Sequence, residues 1–147
     1  MGRYHEGDGI VKMMTELVIN TLQEAKQACF TGAVRGLRYQ GWTLCTRTPG
    51  AIGCAMNQGK PGVHCAIGWL IPWPKQRPLS TGSYDSALDS GLLHHAVIAW
   101  YQQATEGEYL RDFLAHLQWA HDCGRSDMME GRYKKLGVKH HLKWPKE

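Results

Sequence analysis

The sequence lacks most of the features that announce a reaction or a compartment. Phenylalanine is scarce, two in 147 residues. No apolar run approaches the roughly 18–20 residues that a membrane-crossing helix needs, so a helical span is excluded. The five cysteines, Cys29, Cys45, Cys54, Cys65 and Cys123, contain no Cys-x-x-Cys pair. That excludes a zinc ribbon and a thioredoxin-type redox motif. Their odd number, in a chain whose first residues carry no apolar secretory core, argues for reduced thiols. Gly2 is not followed by Ser or Thr at the myristoylation spacing. The expectation is a chain that stays in the cytoplasm. No internal repeat, helix-turn-helix or zinc-finger spacing is present.

What is there is unusual in two respects. Six residues are Trp and eight are His. Trp is the residue most enriched at binding hot spots, because it offers a large rigid surface and one N–H donor, although it also fills cores. The hydrophobic fraction of 43% and the charged fraction of 20% are those of a globular protein of one domain. The formal net charge of +4 permits an anionic partner without requiring one.

The most apolar stretch is Gly62-Val63-His64-Cys65-Ala66-Ile67-Gly68-Trp69-Leu70-Ile71-Pro72. Turn residues bound it on both sides. Small Ala66 and Gly68 alternate with large Ile67 and Trp69, which suits a segment wedged between other elements. It reads as a buried strand-to-helix transition in the core.

The remaining elements follow from periodicity. Val11, Met14, Val18, Leu22, Ala25 and Cys29 predict a helix over about Ile10 to Phe30, with Asp8 as N-cap and Gly32 as stop. Residues 33–40 read as a short second helical piece. Cys54-Ala55-Met56 and Val63-His64-Cys65 read as the arms of a β-hairpin with a long loop. Leu93, Val97, Trp100, Tyr101 and Ala104 form the stripe of a later helix. Thr105-Glu106-Gly107-Glu108 fits a capping box for the next one. That helix carries Leu110, Phe113, Leu114, Leu117 and His121 on one face and ends at Cys123-Gly124. Asp127 to Tyr133 reads as one more short helix. The predicted fold is α+β: a mostly helical single domain, residues 1–133, with one small antiparallel hairpin. A basic tail, residues 134–147, follows it.

Three pieces together carry a resemblance. They are Gly53-Cys54, the run Cys65-Ala66-Ile67-Gly68-Trp69-Leu70-Ile71-Pro72, and Leu114-Ala115-His116-Leu117-Gln118-Trp119-Ala120-His121-Asp122. The chain resembles a group of small uncharacterised bacteriophage and prophage proteins. Those share a Cys-Ala-Ile-Gly-x-Leu-Ile-Pro core and a downstream Leu-Gln-x-x-His-Asp helix. The resemblance spans about residues 34–123. It implies an origin in a mobile genetic element and a small helical domain with a hairpin, and it brings no activity with it. The group usually has Asp after the final Pro and an aromatic two residues after the first Cys, where this chain has Trp73 and Met56.

Several constellations invite chemistry. Cys54, Cys65, His121 and Cys123 are candidate zinc ligands, since zinc takes four such donors tetrahedrally. Ten residues separate Cys54 from Cys65, and buried free thiols are the alternative. Cys65 at a helix N-terminus would be an activated nucleophile if a base such as His64 or His121 reached it, with Asp122 orienting the base. Adjacent strand residues point to opposite faces, which sets His64 aside. His121-Asp122 also has the form of a phosphohydrolase pair, with His94 and His95 as distant partners. A satisfied histidine near a helix C-terminus is the plainer account.

The surface reading is a basic patch with aromatic faces: Trp73, Lys75 and Arg77 in a Pro-rich loop, with Arg38, Trp42 and Trp144. No catalytic residue and no cofactor is assigned. The expected function is a non-enzymatic phage-type accessory protein. It would bind a host protein or ribonucleoprotein complex stoichiometrically, most concretely as an anti-CRISPR-like inhibitor of a bacterial antiphage defence system. A nucleic-acid-associated accessory protein is the alternative, and a small Cys- or zinc-dependent enzyme the third.

Overall fold

The computed structural model describes residues 19–43, 66, 68–70, 104–105, 108–123 and 125–146, and these are mostly helical. The predicted hairpin, except for Ala66, and the helical stripe up to Tyr101 lie outside the described residues.

Helix α1 spans Leu22–Tyr39. It starts at Thr21, whose Oγ1 accepts from the Glu24 backbone N–H at 3.1 Å, while Glu24 Oε2 accepts from the Asn20 N–H at 2.7 Å. The first bond satisfies one of the N–H groups that a helix start leaves unpaired, and the second ties the residue before the cap to the first turn. The helix predicted over residues 10–30 is thereby corrected. Residues 19–21 are not helical, and the helix runs straight through Gly32 and Gly36.

The reason is packing. A helical glycine costs about 1 kcal/mol against alanine, but Gly36 lies directly beneath the indole of Trp69, where any side chain would collide. Trp69 and Leu70 belong to a single 3-10 turn, Gly68–Leu70, and both are buried, as is Ala66. The Trp69 Nε1–H donates to Gln40 Oε1 at 2.7 Å. The described part of the apolar stretch thus contributes Ala66, Trp69 and Leu70 to the core, with Trp69 pressed onto α1.

Helix α1 ends in a Schellman motif. Gly41, with φ 77°, donates its N–H to the Arg38 carbonyl at 3.0 Å, and Trp42 donates to Leu37 at 2.8 Å.

Two short strands, β1 Ala104–Thr105 and β2 Glu108–Tyr109, pair antiparallel, with Thr105 opposite Glu108. The helix predicted to start at the capping box of residues 105–108 starts later, at Leu110, and the Glu108 carboxylate goes to the buried Lys26 Nζ, 3.0 Å away. Helix α2, Leu110–Asp122, follows with Tyr109 as an N-cap that makes no side-chain bond. Its predicted stripe of Leu110, Phe113, Leu114 and Leu117 is fully buried, together with His121.

A 3-10 turn, Ser126–Met128, leads into α3, Met129–Lys139. Helix α2 packs against both α1 and α3, and Phe30 of α1 also meets Tyr133 of α3. Tyr133 ties α3 to α2 by donating its hydroxyl to the Leu117 carbonyl at 2.6 Å. Residues 134–139, assigned from sequence to a basic tail, are the second half of α3. The segment after them lies along α1. Gln27 accepts from the Lys143 N–H at 2.8 Å and donates to the Lys143 carbonyl at 3.0 Å. Gln23 donates to the His140 carbonyl at 2.9 Å, and Arg38 to the Pro145 carbonyl at 2.7 Å. The described part of the tail is thus integrated with the helices. Its sequence is basic, but Leu142, Trp144 and Pro145 supply the apolar contact that charge counting passes over.

Candidate binding surface

An open groove of about 720 Å³ runs between α2 and α3. Its α2 wall is Ala115, His116, Trp119 and Ala120, and its α3 wall is Arg132, Lys135, Leu136 and Lys139. The two walls follow from helical spacing: positions 132, 135 and 139 share one stripe of α3, and 115, 116, 119 and 120 share one of α2. Trp119 stands in this groove 62% exposed, although Trp is a residue that folding normally covers. No described lining residue is acidic, so the groove is apolar along its floor and positive along one rim.

Arg132 is held in place from behind. Its Nε donates to the Ala120 carbonyl at 2.7 Å and its Nη1 to the Arg125 carbonyl at 2.8 Å. The first bond satisfies one of the carbonyls that the C-terminus of α2 leaves unpaired. A guanidinium fixed this way has little rotamer entropy left to lose when an anion arrives.

Arg38, Trp42 and Trp144 come together on another face. The Trp42 and Trp144 rings stack at 6.1 Å with 13° between planes, and the Arg38 guanidinium lies 5.6 Å from the Trp144 ring centre. Lys134 Nζ lies 5.4 Å from the same ring. Both Trp are half-buried, and Phe30 and Tyr133 close the cluster from below. The three residues therefore clasp the C-terminal segment onto α1, each Trp covering one face of the other. Trp73, Lys75 and Arg77 lie outside the described residues.

Of the four metal candidates, His121 and Cys123 are among the described residues. Cys54 and Cys65 lie outside the described residues. His121 is fully buried with its Nδ1 2.7 Å from Asp122 Oδ1, and Gln118 donates to both Asp122 oxygens at 3.2 Å. Among the described residues no group of three or more His, Cys, Asp and Glu is placed to hold a metal ion. Cys29 is also buried, and burial pushes its thiol up to about 12. Among the described residues no helix is long and apolar enough to cross a membrane.

Beside the groove, His140 meets Phe113 edge-on at 4.9 Å and His116 at 6.0 Å. Burial, and then the positive charge of Lys26, hold its imidazole below the ordinary value. The hydrogen bond from Lys26 holds the Glu108 carboxyl low in turn.

Sequence reasoning passed over Trp119 as a surface residue, yet the signal was present. Two helical positions turn the chain by about 200°, so Trp119 falls opposite the buried Leu117. No family model, curated protein or solved structure matches the chain.

Proposed function

We propose that this chain is a small non-enzymatic binding protein that acts by stoichiometric attachment to a host protein or ribonucleoprotein complex in the host-cell cytoplasm. The observation that carries the reading is Trp119. A large rigid indole stands in water at the edge of a groove whose other wall supplies three cations. Burying such a ring against a partner is worth about 2–3 kcal/mol, and indoles ringed by cations are typical hot spots. The resemblance of residues 34–123 to small phage and prophage proteins supports a concrete version: an inhibitor of a bacterial antiphage defence system. Trp73, Lys75 and Arg77 are candidates to extend the contact.

The test is purification from a bacterium with an active defence system, followed by mass measurement of the intact complex. The reading expects one partner at a whole-number ratio and improved phage plating. A chain that always purifies alone and leaves plating unchanged contradicts it.

A second reading, association with nucleic acid, is favoured by the exposed Lys135, Lys139, Lys143 and Lys146. It predicts retention on DNA or RNA that falls steeply with salt, because bound counterions are released.

A further inference from the structure

We propose that the groove between α2 and α3 takes an acidic segment of a partner protein, its carboxylates on Arg132, Lys135 and Lys139 and one apolar side chain against Trp119 and Leu136. This rests on the binding-protein reading and names the chemistry of its partner.

Charge selects the occupant. The three cations line one wall at positions 132, 135 and 139, and no described lining residue opposes them with a carboxylate. Arg132 is fixed by two backbone carbonyls through Nε and Nη1, and its buried Nη2 has no partner among the described residues, so a guanidinium charge with one unspent donor is held at the groove wall. Lys135 and Lys139 are exposed and add charge without fixed geometry.

The floor then separates peptide from nucleic acid. Ala115, Ala120 and Leu136 form an apolar bed, and Trp119 is the one exposed indole among the described lining residues, with the exposed His116 imidazole on the same wall. A nucleic-acid strand draws affinity from many phosphate contacts and successive stacking faces. Among the described lining residues Trp119 is the one indole, and the other described indole pair, Trp42 and Trp144, is stacked on itself. Volume agrees: about 720 Å³ falls within the usual range for sites that enclose a few side chains. An extended or helical segment carrying carboxylates beside one Leu or Phe matches both features.

The probes are synthetic peptides of about 15 residues, long enough to run the length of α3 as a helix. Each has one central Leu or Phe among Glu and Ala. Matched peptides carry Gln for Glu, and a single-stranded thymidine oligonucleotide of equal length is the third probe. Binding to the full chain is followed by tryptophan fluorescence and calorimetry. The Glu peptides are expected to bind at least about tenfold more tightly than the Gln peptides, the effect of two or three exposed charge pairs. That preference should vanish in K135Q/K139Q, and W119A should weaken all peptides, while K134Q, which changes the neighbouring charge outside this groove, keeps it.

Equal binding of Glu and Gln peptides overturns the proposal, as does an oligonucleotide that binds more tightly than both. Loss of the preference in K134Q as strongly as in K135Q/K139Q overturns the assignment to this groove. A stoichiometric complex that survives W119A with K135Q/K139Q would remove the groove and leave the binding-protein reading standing.

Discussion

The indole of Trp69 lies on the bare backbone of Gly36, so that a Cβ at that position would fall inside the ring. One helix position and one 3-10 turn are thereby locked together. The Gly36→Ala variant gains up to about 1 kcal/mol of helix propensity but must displace a fully buried ring. Overpacking of this kind costs about 1–3 kcal/mol or more, so we expect a net loss, read as a lower urea midpoint. The same replacement made together with Trp69→Ala should cost much less than in the parent, since the collision is gone.

The helix ends invite opposite changes. Both α1 and α3 close in Schellman motifs, with Gly41 at φ 77° and His141 at φ 57° in the equivalent position. A left-handed conformation costs a non-glycine residue about 1–2 kcal/mol. Replacing His141 by Gly should therefore raise stability by about 1 kcal/mol, whereas Gly41→Ala should lower it by a similar amount. Thermal unfolding of both variants checks the pair of signs.

Acidification should weaken the fold through His140. Its folded value lies below the ordinary 6.5, chiefly because of burial, with Lys26, His116 and Lys139 adding repulsion and Glu108 opposing. Below pH 6.5 the unfolded chain binds this proton more readily than the folded one. Stability is full above 6.5 and falls as pH drops from there through the lower folded value. The carboxyl of Glu108, held low by Lys26, adds a loss at still lower pH. Urea midpoints measured from neutral to acidic pH should show the decline, and His140→Gln should flatten its upper part.

Thiol chemistry should divide the cysteines. Cys29 is enclosed and its thiol is pushed up to about 12, so almost no thiolate exists near neutral pH. Cys123 is half-exposed. Pulse labelling with iodoacetamide, mapped by peptide mass, should modify Cys123 in the native protein and Cys29 only after denaturant. Early modification of Cys29 would contradict the enclosed core of α1.

Much of the fold was legible where spacing and burial agree. The stripe Leu110, Phe113, Leu114, Leu117 became the buried face of α2, and the apolar stretch around Trp69 became core. The misreadings share a cause: local signals were followed where tertiary contacts decide. Gly32 read as a stop, yet it is buried within α1, one turn before the Gly36 on which Trp69 lies. Thr105 and Glu108 fit a capping box, yet Lys26, a buried cation far away in sequence, claims the carboxylate. Thr21 caps the start of α1, a signal passed over because the stripe upstream of it continues unbroken on paper. Trp42 and Trp144 read as surface faces of a basic patch, yet they stack on each other, a contact across about a hundred residues. Of the surface, composition suggested Trp beside cations in general. The pairing of Trp119 with Arg132, Lys135 and Lys139 required knowing that α2 and α3 lie side by side.

The most direct test of the central claim is site-specific photocrosslinking within the purified complex. A benzophenone side chain is placed at Trp119, inside the groove, and separately at Val138, still more exposed but outside it. The account predicts an adduct of one chain with one partner from position 119, mapped to an acidic segment of that partner, and little from position 138. Adducts from position 138 alone, or a position 119 that joins only nucleic acid, would contradict it.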